Sequence, residues 1–165
     1  MELKNKMEIV ALHEQMKHRN IVRLLMRYGK FMIAKVERIS KENGFEDFKP
    51  HYMAFIGNIG IDGTTPSDLA RCIWVSKQAM SKTLKEMEAK GYISIEPNLK
   101  DRRATILRLG DRGVHLLELS STISEQIKEE IWNLIGEESM EQLTQTLQVL
   151  MANAELEMET LRGNE

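Results

Sequence analysis

Residues 64–113 read TTPSDLARCIWVSKQAMSKTLKEMEAKGYISIEPNLKDRRATILRLGDRG, and their pattern predicts two short helices, a hairpin and the start of another helix. Thr65 stands before Pro66, which is the usual arrangement of an N-cap and the first turn of a helix. Ser76 can cap a second helix, and Gly91 can end it because glycine readily adopts the left-handed conformation that follows a helix. Two short helices joined by a tight turn are therefore predicted.

The predicted second helix has one apolar and one polar face. Met80, Leu84 and Met87 recur at the spacing of a buried stripe. The polar and basic side chains fall mainly on the other faces, and they are Ser76, Lys77, Gln78, Ser81, Lys82 and Lys85. One face is thus expected to pack against the rest of the domain, which leaves the other free to contact a partner.

The alternation of a β-strand follows the second helix. Ile93 and Ile95 share one face of a first strand, and Thr105, Leu107 and Leu109 restore the alternation in a second strand. The break between them places charged residues at the tip of a hairpin, namely Lys100, Asp101, Arg102 and Arg103. Two helices followed by such a hairpin form a winged helix-turn-helix. The predicted fold class is therefore mainly α with a small β-hairpin wing (α+β).

The residue types on the second helix and the hairpin suit duplex DNA. Amide, hydroxyl and lysine side chains on a helix can meet base edges and phosphates in the major groove. An arginine at the end of a narrow hairpin can enter the minor groove, whose negative potential attracts it. Asp101 can pair with a neighbouring guanidinium and orient it. Each feature alone is more often an ordinary solvated surface, but their order within residues 64–113 favours DNA contact.

The same stretch resembles the MarR family of bacterial transcriptional regulators. The matching positions are Leu69-Ala70, Ser76 to Lys82, Leu84, Met87-Glu88, Lys90 to Ile93, Asp101 to Arg103, Leu109 and Gly113. The resemblance implies a homodimer with two recognition helices, in which Arg103 is the minor-groove residue of the wing and Asp101 orients it. Gly110 departs from the threonine that is usual in the family before the next helix, which predicts a weaker helix cap.

The sequence and the resemblance together predict a sequence-specific transcriptional regulator, with repression as the expected mode. The predicted DNA-binding residues are Ser76, Lys77, Gln78, Ser81, Lys82, Lys85, Lys100, Asp101, Arg102 and Arg103. Two recognition helices of a homodimer would lie about one turn of DNA apart, roughly 34 Å. A near-palindromic operator is therefore predicted.

The resemblance also implies regulation by a small molecule. In MarR-like proteins such an effector, often phenolic, commonly binds between the dimer arms and the DNA-binding lobe. The candidate effector-binding residues by position are Arg19, Arg23, His51, Tyr52 and Phe55. Packing in the protein core or at its surface is the alternative role for His51 and Tyr52.

Helical patterns flank the winged helix on both sides. They predict one long helix or two joined helices over 7–43, a helix from Lys49 with Pro50 in its first turn, and long helices over 111–134 and 139–161. The broad apolar stripes of these helices favour cover by a second copy of the chain, and an intramolecular bundle is the alternative. The predicted domains are an N-terminal helical dimerisation arm (1–46), a winged helix-turn-helix DNA-binding domain (47–112) and C-terminal dimerisation helices (113–165).

The charge distribution fits DNA binding better than the net charge does. The 165 residues carry a formal net charge of −2, yet residues 76–112 hold 9 basic and 5 acidic side chains, whereas residues 113–165 hold 2 and 11. The positive charge thus lies on the predicted DNA-binding part. The sequence lacks a run of about 18 apolar residues and begins with charged residues unlike a secretory signal. We therefore expect a cytoplasmic protein without a membrane partner.

Other classes of function find little support in the sequence. The chain has no glycine-rich phosphate loop, nucleophile elbow or paired acidic motif, so it is not expected to be an enzyme. His13 and His18 lack a metal-binding spacing, so neither a metal nor a cofactor is expected. Cys72 is predicted to be a small buried side chain rather than a redox sensor. The alternative function is a winged-helix protein–protein adaptor without DNA binding, against which Lys82 and Arg103 argue.

Overall fold

The computed structural model describes residues 3–73, 75–97 and 105–162 and confirms the predicted mainly helical fold with one hairpin. Its elements are α1 (Leu3–Met16), α2 (Ile21–Glu42), α3 (Tyr52–Ile56), α4 (Pro66–Cys72), α5 (Lys77–Ala89), β1 (Ile93–Pro97), β2 (Thr105–Leu109), α6 (Asp111–Ile135) and α7 (Glu137–Arg162). The chain forms two compact units that divide between Ser120 and Ser121. Among the predicted site residues, Lys100, Asp101, Arg102, Arg103 and the side chain of Lys77 lie outside the described residues.

The helix-turn-helix forms where its caps predict it. The Thr65 hydroxyl accepts a hydrogen bond from the Asp68 backbone N–H at 3.1 Å, which caps α4. The Ser76 hydroxyl accepts one from the Ala79 N–H at 3.2 Å, which caps α5. Gly91 follows α5 with a φ of 74°, the left-handed conformation that glycine adopts most easily. The predicted starts of both helices and the end of the second are confirmed.

The hairpin is antiparallel, and a residue before α4 extends it. Its register pairs Ile93 with Leu109 and Ile95 with Leu107, so the predicted apolar positions face each other across the strands. Thr64 exchanges two backbone hydrogen bonds with Leu107, both of 2.9 Å. The residue that precedes the N-cap of α4 is thus bound directly to the wing.

One hydrophobic core joins α3, α4, α5, the hairpin and the start of α6. Met80, Leu84 and Met87 are buried, as the predicted stripe on α5 requires. The other members of the core are Phe45, Phe48, Tyr52, Phe55, Ile56, Ile59, Leu69, Ile73, Tyr92, Ile93, Leu107 and Leu116. Burying each large apolar side chain is worth roughly 1.5–3 kcal/mol, so this core fixes α5 against the hairpin.

The backbone of the turn after α5 packs directly against the backbone at the start of α6, with no side chain between them. The Gly110 N–H donates a hydrogen bond of 2.9 Å to the Tyr92 carbonyl. A Cβ atom on Gly110 would lie 2.5 Å from the Gly91 carbonyl oxygen, and one on Gly113 would lie 2.0 Å from the Tyr92 carbonyl oxygen. Both distances are too short for a side chain. Gly110 therefore permits a close approach that any side chain would obstruct.

The N-terminal part confirms two joined helices and corrects one helix start. Asn20 caps α2 by accepting a hydrogen bond from the Arg23 N–H at 3.0 Å. The helix predicted from Lys49 begins instead at Tyr52. The N–H groups of Tyr52 and Met53 bond to carbonyls three residues earlier, at 2.9 and 3.2 Å, so residues 49–51 form tight turns before the helix.

The prediction that Cys72 is buried is wrong, because its side chain is exposed at the end of α4. Leu69 and Ile73 lie four residues apart and are the buried positions here. Cys72 is the last residue of α4, and it is exposed there although its spacing of three residues from Leu69 would place both on the same side of the helix.

The second unit consists of the later part of α6 together with α7. Gly136 separates the two helices and has a φ of 79°. Ile123 and Ile127 of α6 are buried. None of the helices formed by the described residues is both long and apolar enough to cross a membrane.

Candidate nucleic-acid interface

The exposed face of α5 carries the described part of the predicted DNA-binding set. Gln78, Ser81, Lys82 and Lys85 are all exposed, and their spacing of three and four residues places them on one side of the helix. The buried stripe of Met80, Leu84 and Met87 occupies the opposite side. The helix thus presents one amide, one hydroxyl and two ammonium groups together on its exposed side. From here on, the recognition face means Gln78, Ser81, Lys82 and Lys85.

Ser76 lies at the start of the same helix, where its hydroxyl already has a structural role. The oxygen accepts the capping hydrogen bond from Ala79. A serine hydroxyl can accept one bond and still donate another, so capping leaves its proton available to an acceptor such as a phosphate oxygen.

The wing is described up to the point where its two strands end. Pro97 pairs with Thr105, and the predicted tip lies between them, outside the described residues. Nearer the base of the hairpin, Arg108 forms an ion pair with Glu96 at 3.5 Å, and the Ser94 hydroxyl donates to Glu96 at 3.0 Å. These exposed groups stabilise the hairpin only modestly, because an exposed ion pair contributes about 1 kcal/mol or less to the free energy of unfolding.

A cluster of charged and tyrosine side chains behind α5 was not predicted. Asp47, in the loop before α3, accepts a two-pronged hydrogen bond from the Arg112 guanidinium at 2.6 and 3.2 Å. The Asp47 carboxylate also accepts a hydrogen bond from the Tyr92 hydroxyl at 2.9 Å, and the Lys90 ammonium lies 3.4 Å from it. Burial alone would raise the pKa of Asp47, but the hydrogen bonds from Arg112 and Tyr92 outweigh it and lower the pKa. The carboxylate is therefore ionised at neutral pH.

A second carboxylate ties the last turn of α5 to the start of α3. Glu86 accepts hydrogen bonds from the Tyr52 hydroxyl at 2.7 Å and the Lys90 ammonium at 2.9 Å, and it also pairs with Lys49. The Lys90 ammonium donates in turn to the Tyr52 oxygen at 3.1 Å. Hydrogen bonds from Lys49, Tyr52 and Lys90 lower the pKa of Glu86 to about 2.

Two buried tyrosine rings connect the carboxylates. The rings of Tyr52 and Tyr92 are fully buried, with their centroids 5.2 Å apart, and each hydroxyl reaches one carboxylate. Burial, followed by the hydrogen bond to Asp47, raises the pKa of Tyr92 to about 12. The only local sequence signal was the spacing of Glu86 and Lys90, which are four residues apart on a helix. The other partners are distant in sequence, so a pattern search could not join them.

The candidate effector residues lie in different surroundings. Arg19 is exposed in the turn between α1 and α2, and Arg23 is exposed in the first turn of α2. His51 is exposed with its ring 5.0 Å from that of Tyr52. Tyr52 and Phe55 are core residues, so their side chains already pack inside the protein. Among the described residues, no three His, Cys, Asp or Glu side chains are grouped as a metal site would need.

Comparison with known proteins finds its family match in the segment that contains the helix-turn-helix and most of the wing. Residues 46–104 match the model of the MarR family. The transcriptional activatory protein BadR of Rhodopseudomonas palustris is 28% identical over 90 residues, which are 54% of this chain and 50% of BadR. The HTH-type transcriptional regulator YdgJ of Bacillus subtilis is 33% identical over 78 residues, 47% of this chain and 48% of YdgJ. The chain thus spans about half the length of these curated relatives.

Solved structures extend the likeness in fold over most of the chain. Streptococcus pneumoniae FabT in complex with DNA has a TM-score of 0.74 at 24% identity, over 84% of this chain and 97% of FabT. The S. aureus MepR–DNA complex has a TM-score of 0.66 at 20% identity, over 81% of this chain and 98% of MepR. Because the sequence identity is below 25%, these likenesses establish the fold alone. This chain therefore shares the winged-helix fold of these structures, and its residues 46–104 resemble the MarR family, whose model they match.

Proposed function

We propose that this protein is a sequence-specific DNA-binding transcription regulator whose recognition helix is α5. The observation that carries the proposal is the recognition face, where Gln78, Ser81, Lys82 and Lys85 are exposed together on a capped helix. A helix of this width fits the major groove, where glutamine can read adenine and lysine can reach phosphates or guanine. FabT and MepR share this fold and were both solved in complex with DNA, which supports the same role here.

The wing supplies the second proposed contact. Strand β2 is hydrogen-bonded through Leu107 to Thr64, which lies just before the N-cap of α4. The hairpin is therefore attached to the helix-turn-helix. We propose that Lys100, Arg102 and Arg103 at its tip reach the adjacent groove and that Asp101 orients Arg103. We also propose that Ser76 and Lys77 contact the DNA backbone at the start of α5.

A homodimer is the proposed working form. On the described chain, α1 and α2 expose a long series of large apolar side chains, including Met7, Val10, Leu25, Phe31 and Ile33. On α7 the exposed apolar set includes Leu147, Val149, Leu150, Met151 and Leu156. Exposed apolar surface on this scale marks an interaction site. A second copy of the chain would cover it and give two recognition helices for a near-palindromic operator.

We propose 1–46, 47–112 and 113–165 as the functional division into dimerisation arm, DNA-binding domain and dimerisation helices. Repression is the proposed sign of regulation, in a cytoplasmic protein whose partner is duplex DNA. The relative BadR is a transcriptional activatory protein, so transcription from a template with the operator needs to be measured directly. A fall in transcript is expected when the protein is added.

A small aromatic effector is proposed to modulate DNA binding through the surroundings of Arg19, Arg23 and His51. Tyr52 and Phe55 would take part only from within the core, because both side chains are buried. Titration with simple phenols during a DNA-binding measurement tests this directly, and a weaker affinity for the operator is the expected response.

Substitution of Lys82 tests the role of α5 in DNA binding. We expect Lys82→Gln to weaken binding to any duplex and to reduce the slope of log affinity against log salt by about 1 for each phosphate that the lysine neutralises. A homodimer would therefore show a slope smaller by about 2 if Lys82 of both copies reaches a phosphate. The measurement is equilibrium binding at several salt concentrations.

Lys41→Gln is the matched control, because it changes the net charge equally on α2, where Lys41 pairs with Glu37 at 2.7 Å. Its slope should stay that of the wild type. An unchanged slope for Lys82→Gln would mean that Lys82 neutralises no phosphate and would count against α5 as the DNA-binding helix.

A further inference from the structure

The end of α5 and the start of α6 meet in a joint made by hydrogen bonds. Arg112, in the first turn of α6, donates to the Lys90 carbonyl at 3.4 Å, at the C-cap of α5. The Gly110 N–H donates to the Tyr92 carbonyl, and the space at Gly113 admits no side chain. The last turn of α5 therefore lies directly against the first turn of α6.

Asp47 lies at the centre of this joint. Its carboxylate accepts both prongs of the Arg112 guanidinium and the Tyr92 hydroxyl, and Lys90 lies within ion-pair distance. Three different segments thus converge on one side chain: the end of α5, the residue before β1 and the start of α6. The Arg112 guanidinium also stacks over the Tyr92 ring, 4.6 Å from its centroid. A paired arginine fork fixes orientation as well as distance.

We propose that Asp47 and Arg112 are positioning residues that set the direction of the recognition helix α5 relative to the first turn of α6. The inference rests on the proposed function, since it concerns how the recognition face is presented to DNA. Neither residue belongs to that face, so each acts through α5 rather than by touching DNA.

The sign of the effect separates positioning from simple electrostatics. Asp47→Asn removes one negative charge, and charge alone would tighten binding to the DNA polyanion. Loss of the Arg112 fork would instead let α5 tilt, which weakens the contacts that need close alignment with base edges. Positioning therefore predicts weaker binding to the preferred site from a change that makes the protein more positive.

The experiment compares full-length variants on two duplexes, one enriched from a random pool by the wild type and one unrelated. For Asp47→Asn we expect affinity for the enriched duplex to fall roughly 3- to 30-fold, the range seen when residues that couple elements are changed. Affinity for the unrelated duplex should be equal or slightly higher, because every phosphate-binding side chain is retained and one negative charge is lost, and the salt slope should be unchanged. Glu42→Gln is the matched control, with the same change of charge in the exposed Arg38–Glu42 pair.

A second variant keeps the test decisive if Asp47→Asn does not fold. Arg112→Lys retains the charge but cannot form the two-pronged bond, so the same loss on the enriched duplex is expected. The double variant should lose less than the sum of the single losses, because both changes break one joint. Circular dichroism at the assay temperature establishes that each variant is folded.

Two results would overturn the inference, and they can be told apart. Folded Asp47→Asn and Arg112→Lys proteins that bind the enriched duplex as tightly as the wild type would remove the positioning role and leave the proposed function intact. A wild-type protein that binds no duplex would overturn both the proposed function and the inference.

Discussion

Among the described glycines, Gly113 is the one where an added Cβ atom would make the shortest contact, because the Tyr92 carbonyl occupies that space. A Cβ atom there would come within 2.0 Å of that oxygen, so the backbone would have to move. We expect Gly113→Ala to lower the free energy of unfolding by roughly 1–3 kcal/mol, the usual cost of overpacking. Urea unfolding followed by circular dichroism measures the change.

Gly29→Ala is the control for this prediction, because a Cβ at Gly29 in α2 meets nothing within 4 Å. Alanine is favoured over glycine inside a helix by about 1 kcal/mol, so this variant should be as stable as the wild type or more stable. Equal destabilisation by both substitutions would contradict the close approach between the end of α5 and the start of α6.

At the scale of the elements, local signals were sufficient for the helix-turn-helix. Thr65 and Ser76 cap helices through residues three positions away, and Gly91 ends α5 through its own conformation, so the sequence contains each signal within one turn. The exposure of the recognition face followed from helical periodicity in the same way. The joint could not be predicted, because Asp47 and Arg112 are joined only by the folded chain.

Cys72 and Lys49 show the limits of local reasoning within an element. The buried direction of α4 is set by what packs on Leu69 and Ile73, which a short helix does not reveal from its own residues. The start of α3 is likewise set by the tight turns that follow Lys49.

The attachment of α5 to α3 should depend on pH. Glu86 has a pKa of about 2 in the folded protein, below its ordinary value of 4.5, so its bonds stabilise the fold above pH 4.5. That contribution is lost as the pH falls from 4.5 towards 2, because the unfolded chain takes up the proton first. We expect Glu86→Gln to be less stable than the wild type at neutral pH and to lose less stability over that acid range.

Melting temperatures measured from pH 7 down to pH 2 test this prediction, with Glu42→Gln as the exposed control. Parallel curves for Glu86→Gln and the wild type would show that Glu86 does not hold α5 in place.

In the whole molecule, the exposed apolar side chains of α1, α2 and α7 are the surface that we propose a second copy of the chain covers. We expect the 19.1 kDa chain to sediment as a dimer at micromolar concentration. Phe31→Glu should shift it to a monomer without unfolding it, because the Phe31 side chain is 58% exposed in the single chain. Ile61→Glu is the matched control, since Ile61 is 98% exposed on its own in the turn before α4 and should leave the dimer unchanged. A monomeric wild type would remove the basis for a two-fold symmetric operator.

We propose that a pair of α5 helices, one from each copy of the chain, reads one DNA site. Selection of bound duplexes from a random pool by the wild-type protein tests it most directly. We expect enrichment of a near-palindrome whose half-sites lie about one helical turn apart, roughly 10 base pairs. We also expect Gln78→Ala to relax the base preference within each half-site. Failure of the wild type to enrich any palindrome would contradict the claim and favour a winged helix that binds protein instead of DNA.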